Sequence, residues 1–145
     1  MKRVLVFGTF DGLHEGHKDF FKQAKQYKLL IRENKQLNYL IVVVGRDSTV
    51  QRTKNKLPMF NEQERLKAVK EAGLVDEARL GNEGNNPYKV IEEVKPDVIC
   101  LGYDQTHFTE KLESALKEMG LGLVKIERLK AFEPEKYHSS IINNK

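Results

Sequence analysis

The chain has 145 residues, 39% of them hydrophobic and 32% charged, with a formal net charge of +4, the proportions of a globular domain with a richly charged surface. No apolar run approaches the roughly 18 residues needed for a membrane-spanning helix, and the single cysteine, Cys100, excludes an intrachain disulfide. Lysines alternate with glutamates, and the densest basic segment, Arg52-Thr53-Lys54-Asn55-Lys56, holds no aromatic residue on which a base stacks, so no nucleic-acid or membrane partner is expected.

Met1-Lys2-Arg3 leads directly into an apolar run rather than a signal-peptide core, which places the expected setting in the cytoplasm. Residues 3 to 8 read as a short buried strand. Gly8-Thr9-Phe10-Asp11-Gly12-Leu13-His14-Glu15-Gly16-His17 follows, and Phe20, Phe21 and Ala24 then recur at helical spacing within a helix expected over 15 to 33. The stretch between them is a strand-to-helix turn. Its glycines admit a ligand close to the backbone, and the unpaired N–H groups and positive dipole end of the helix favour an anion there.

Strands are expected next at 39 to 44, 76 to 80, 97 to 101 and 122 to 127, separated by helices at 61 to 72, 87 to 94 and 109 to 119. Asn61 with Glu64 three residues later has the form of a capping box. Strands alternating with helices in this way point to a parallel sheet covered on both faces, within one domain of residues 1–145. Ligands of such sheets bind at the carboxyl ends of the strands. Gly8 to His17, Gly45 to Asp47 and Gly102 to Gln105 all lie at those ends and form one predicted pocket.

His14 and His17 are three apart, hence neighbours on one helix face. Two imidazoles so placed donate hydrogen bonds to phosphate oxygens that gain charge during transfer. His14-Glu15-Gly16-His17 is one residue short of the zincin H-E-x-x-H, and no G-x-x-x-x-G-K-[ST] is present. Metal ligation by the two histidines would need partners that one cysteine scarcely supplies. Asp11 has two readings, capping of its own loop or support of a hydrated magnesium ion. Arg65 likewise has two, a ligand contact or an ion pair to Glu62 or Asp47.

The stretch G-T-F-D-G-L-H-E-G-H resembles the H-x-G-H signature of the nucleotidyltransferase superfamily that includes glycerol-3-phosphate cytidylyltransferase, pantetheine-phosphate adenylyltransferase and FAD synthetases. Val44-Gly45-Arg46-Asp47-Ser48-Thr49-Val50, Asn61-Glu62-Gln63-Glu64-Arg65 and Lys95-Pro96-Asp97-Val98-Ile99-Cys100-Leu101-Gly102-Tyr103-Asp104-Gln105 follow in that family's order, and Leu-Gly-Tyr-Asp-Gln is most similar to the archaeal-type FAD synthetase branch. The resemblance implies an α/β, Rossmann-like three-layer sandwich with a five-stranded parallel sheet. It also implies nucleoside monophosphate transfer from a triphosphate to a phosphomonoester, with pyrophosphate released.

His14, His17 and Lys54 take the catalytic positions by this resemblance. Gly8, Thr9, Phe10, Asp11, Gly16, Lys56, Arg65, Gly102, Asp104, Arg128, Ser139 and Ser140 take the nucleotide-binding ones. The implied donor is ATP or CTP with Mg2+, the acceptor FMN or an alcohol phosphate such as glycerol 3-phosphate, and the assembly a homodimer. A nucleotide-binding module without turnover is the reading from another class. Residues 25 to 39 are longer than the family's usual connection, and only Ile141 to Lys145 follow the two serines. Tyr103, Phe108 and Phe132 are further candidates to line a flat acceptor.

Overall fold

A computed structural model describes residues 3–27, 38–82, 88–102, 105 and 111–130, without the side chains of Thr53 and Lys54. The elements in chain order are β1 (Arg3–Gly8), α1 (Glu15–Lys25), β2 (Tyr39–Val44), α2 (Asp47–Lys54), α3 (Glu62–Glu71), β3 (Glu77–Leu80), α4 (Lys89–Val94), β4 (Val98–Leu101), α5 (Leu112–Glu118) and β5 (Lys125–Arg128). All four strand pairings are parallel, in the order β3-β2-β1-β4-β5.

The central strands are apolar on both faces because both are covered. Val4, Val6, Leu40, Val42, Val98 and Cys100 pack on one side with Phe21 and Ala24 of α1 and Val69 of α3. Leu5, Phe7, Ile41, Val43, Ile99 and Leu101 pack on the other with Val90, Ile91 and Val94 of α4 and Leu112 and Leu116 of α5. The expected five-stranded parallel sheet between two helical layers is therefore the architecture found. Each fully buried Leu or Ile in these layers contributes roughly 1.5–3 kcal/mol relative to exposure.

Three differences have local causes. The first helix, expected to reach residue 33, stops at Lys25, with 28–33 outside the described residues. Its end is closed from a distance: buried Asn38 donates its side-chain amide to Ala24 O and Tyr27 O, and its own N–H bonds Lys25 O. Helix α2 is absent from the expectation. Among its described side chains only Val50 is buried, so it carries little amphipathic signal. Lys54 accordingly ends a helix rather than lying in a loop, and the chain leaves through left-handed Asn55 at φ 58°. The last strand begins at Lys125, later than expected, and includes Arg128.

Candidate active site

The turn after β1 is shaped by glycine and a buried ring. Phe10 adopts a left-handed conformation, φ 54°, which folds its ring back over Gly8, and a Cβ at Gly8 would lie within 2.5–2.9 Å of that ring. Only glycine fits beneath it. Phe10 is 5% exposed, and its ring meets His17 edge-on at 5.4 Å and Phe21 at 5.1 Å. Its side chain thus forms a floor under His17.

His14 is the N-cap of α1 and His17 its third residue. His14 Nδ1 accepts from Gly16 N at 3.0 Å, while His17 Nδ1 accepts from His14 N at 3.2 Å. Imidazoles occupy the places that a serine and a glutamate take in an ordinary capping box. The rings stack with centroids 3.8 Å apart. Because each Nδ1 is an acceptor, the neutral form of each ring carries its proton on Nε2. The sequence pattern points to free backbone amides at this helix start, yet those of His14 and Gly16 are already bonded to imidazole nitrogens.

Asp11 reaches across to the segment before α3. Its two carboxylate oxygens accept from Met59 N at 2.7 Å and Phe60 N at 2.9 Å, so it orders the segment before α3 rather than its own loop. Behind it, Arg65 is 1% exposed and spends its guanidinium on protein acceptors. Nε donates to Phe60 O, Nη1 to Thr9 O and Nη2 to Asp47 Oδ1, at 2.9, 2.9 and 2.7 Å. Of the two sequence readings of Arg65, the ion pair to Asp47 is the one present, and the group braces the Thr9 turn instead of facing outward.

The starts of α2 and α3 also cap one another. Asp47 N donates to Glu62 Oε1 at 2.8 Å, Glu62 N to Asp47 Oδ2 at 3.3 Å, and Arg46 lies 3.6 Å from Glu62. A depression of about 600 Å³ over this cross-cap is lined by Arg46, Asp47, Ser48, Asn61, Glu62 and Gln63, none of them in the histidine turn. The Asn61–Glu64 capping box forms as the spacing predicts.

The strand ends gather the remaining expected positions. Gly8 O accepts from Gly45 N at 2.9 Å, and Gly102 follows β4 directly. Lys56 is exposed two residues beyond α2. Arg128, expected on phosphates, points its Nη1 at Gly102 O and Gln105 O, at 2.6 and 2.9 Å, and so ties both residues to β5. Asp104, Ser139 and Ser140, with Tyr103, Phe108 and Phe132, lie outside the described residues, as does the Lys54 side chain.

Residues 5–145 match the family described as cytidylyltransferase-like. The chain belongs to the cytidylyltransferase-like family. This family member is 44% identical to a protein of Methanobrevibacter smithii named FAD synthase, over 97% of its own length and 86% of the relative's. It is 40% identical to a Thermoplasma volcanium protein of the same name, over 100% and 94%. Among solved structures, a Thermoplasma volcanium protein described as a lipopolysaccharide core biosynthesis protein shares its fold with a TM-score of 0.77 at 41% identity, covering 92% of this chain and 99% of that one.

Proposed function

We propose that the chain is an FMN adenylyltransferase that transfers AMP from MgATP to FMN, forming FAD and pyrophosphate. Membership of the cytidylyltransferase-like family and the FAD synthase relatives support the reaction class and the acceptor. The observation that carries the mechanism is the pair of stacked histidines at the start of α1, each with its Nδ1 tied back to a backbone amide.

In the reaction a phosphate oxygen of FMN forms a bond to the α-phosphorus, and the bond from that phosphorus to the bridging oxygen of pyrophosphate breaks. The attacking oxygen is already anionic, so no general base is needed and catalysis reduces to alignment and charge stabilisation. His14 and His17 donate to the α-phosphate oxygens as charge builds there. Each such donor is worth roughly two orders of magnitude in rate. Lys54, Lys56, Ser139 and Ser140 are proposed to hold the phosphates, and Gly102 with Asp104 to meet the base or ribose.

Magnesium belongs with the triphosphate in this scheme. Among the described residues no group of three or more His, Cys, Asp or Glu side chains could hold a metal, and both Asp11 oxygens already accept backbone amides. The ion would arrive on the phosphate oxygens and keep its waters, the binding mode magnesium favours. The working form is proposed to be a homodimer, an expectation that rests on the family resemblance.

Pyrophosphate release from ATP and CTP, each crossed with FMN and glycerol 3-phosphate in the presence of magnesium, tests the proposal. Release with ATP and FMN is the expected result. Release only with CTP and the alcohol phosphate would replace it with a cytidylyltransferase, and nucleotide binding without release from any pair would leave a binding module.

A further inference from the structure

The sheet order changes direction between β1 and β4, since β1 continues toward β2 and β3 while β4 continues toward β5. The crevice between two such strand ends is where nucleotides enter a parallel sheet. Backbone pairing of these strands runs from Val4 with Val98 to Val6 with Cys100. Just beyond it, the Gln105 side chain takes over. Its Nε2 donates to Phe7 O at 3.2 Å and its Oε1 accepts from Gly102 N at 3.1 Å. One carboxamide thus stands where a further peptide group would continue the ladder.

Gln105 N also donates to Gly102 O at 3.1 Å, and Arg128 Nη1 donates to Gly102 O and Gln105 O. These bonds tie Gly102 and Gln105 to each other, to β5, and to the strand that delivers the Gly8-Thr9 turn. Both polar atoms of the carboxamide are used within the protein, so its effect on a ligand is indirect. We propose that Gln105 is a positioning residue for nucleotide selection: it sets the span between the end of β1 at Phe7 and Gly102 at the end of β4, the two edges of that crevice. This rests on the adenylyl-transfer reading for what occupies the crevice.

Glutamate is the discriminating replacement. In Gln105→Glu the bond from Gly102 N remains possible, but no hydrogen is left for Phe7 O, and a carboxylate is set against a carbonyl. Gln105→Met removes both bonds at similar volume. Arg128→Ala removes the bonds to Gly102 O and Gln105 O from an exposed position outside the core.

The experiment measures binding of Mg2+ with a non-hydrolysable ATP analogue and with the corresponding CTP analogue, without acceptor, for wild type and all three variants. Steady-state kinetics with FMN and thermal unfolding accompany it. The expected result is a three- to tenfold loss of ATP affinity in Gln105→Glu. A matching rise in KM for ATP, kcat within about threefold of wild type and a reduced preference of ATP over CTP should accompany it, with Gln105→Met and Arg128→Ala shifting the preference in the same direction. A purely structural residue would lower the melting temperature and leave the nucleotide preference where it was. That result, in any variant set that folds, overturns the inference. Wild type that binds neither nucleotide overturns both the inference and the reading beneath it, whereas wild type that binds ATP but makes no FAD removes only the FMN acceptor.

Discussion

Arg65 and Asp47 form an ion pair of 2.7 Å in which the guanidinium is fully buried and the carboxylate one-third exposed. The same guanidinium holds the carbonyls of Thr9 and Phe60, so one side chain joins the turn after β1, the start of α2 and the approach to α3. A lysine keeps the charge but cannot hold three acceptors in a planar fork. Asp47→Asn leaves a buried cation without its counter-charge, and because Asp47 is partly solvated the expected cost falls at the low end for broken buried pairs, about 3 kcal/mol. That corresponds to a melting temperature lower by about 10 °C for a chain of this size. Arg65→Lys should match it and reduce kcat/KM at least tenfold through the loosened Thr9 turn. Melting curves of the two variants check this, and a wild-type midpoint in Asp47→Asn would contradict it.

The sheet was legible because β1, β2 and β4 carry continuous apolar runs, and the histidine turn because strand, glycines and helix stand in order around it. Helix α2 was not, since an exposed helix carried by capping at Asp47 and by Asn55 at its end leaves no periodic stripe. The histidines were legible as chemistry but not as caps. An imidazole accepting a backbone N–H is too rare a substitute for Ser or Asp for spacing alone to indicate it. Roles that depend on contacts across tens of residues were hidden for a plainer reason. Arg65 to Thr9, Asp11 to Phe60 and Gln105 to Phe7 are partners only once the sheet has brought the strand ends together.

The double duty of His14 separates capping from catalysis. His14→Ala should lose about 1 kcal/mol of stability with the cap and about two orders of magnitude in kcat with the donor. Asparagine is a good N-cap, so His14→Asn should recover the melting temperature and not the rate. In the same way His17→Glu retains an acceptor for His14 N, as in an ordinary capping box, but has no Nε2–H. Its stability is expected near wild type and its turnover near that of His17→Ala. Recovery of kcat in either cap-preserving variant would assign the histidines a structural task alone.

Asp11 predicts a local rather than a global effect. Its carboxylate binds two consecutive amides, and bonds to a charged acceptor contribute about 1.5–3 kcal/mol. Asp11→Ala should therefore release the Met59 and Phe60 amides, raising their hydrogen-exchange rates by at least tenfold while amides of β1 and β2 keep their protection. Unchanged exchange at those two positions would mean that the segment is held by other contacts.

Cys100 gives the chain an alkaline limit. Burial, with a smaller contribution from Glu127 on the neighbouring strand, pushes its thiol from 9.0 up to about 12. In the unfolded chain the thiol ionises near its ordinary value, so between about pH 9 and pH 12 the unfolded state binds fewer protons than the native one. Stability therefore falls as pH rises through that window, by at most ~1.4 kcal/mol per pH unit from this group, and is unaffected by it below. Tyr39 and Tyr88 are shifted upward too, chiefly by burial, and slope in the same direction. Cys100→Ala retains both tyrosines, so the difference between the two proteins isolates the thiol. Urea unfolding of each at pH 8, 9.5 and 10.5 should give lines that differ only above pH 9, the variant being the flatter. Parallel lines across the range would show that the thiol ionises in the native protein as readily as in the unfolded chain, and iodoacetamide would then label native Cys100 at pH 9 instead of leaving it unmodified.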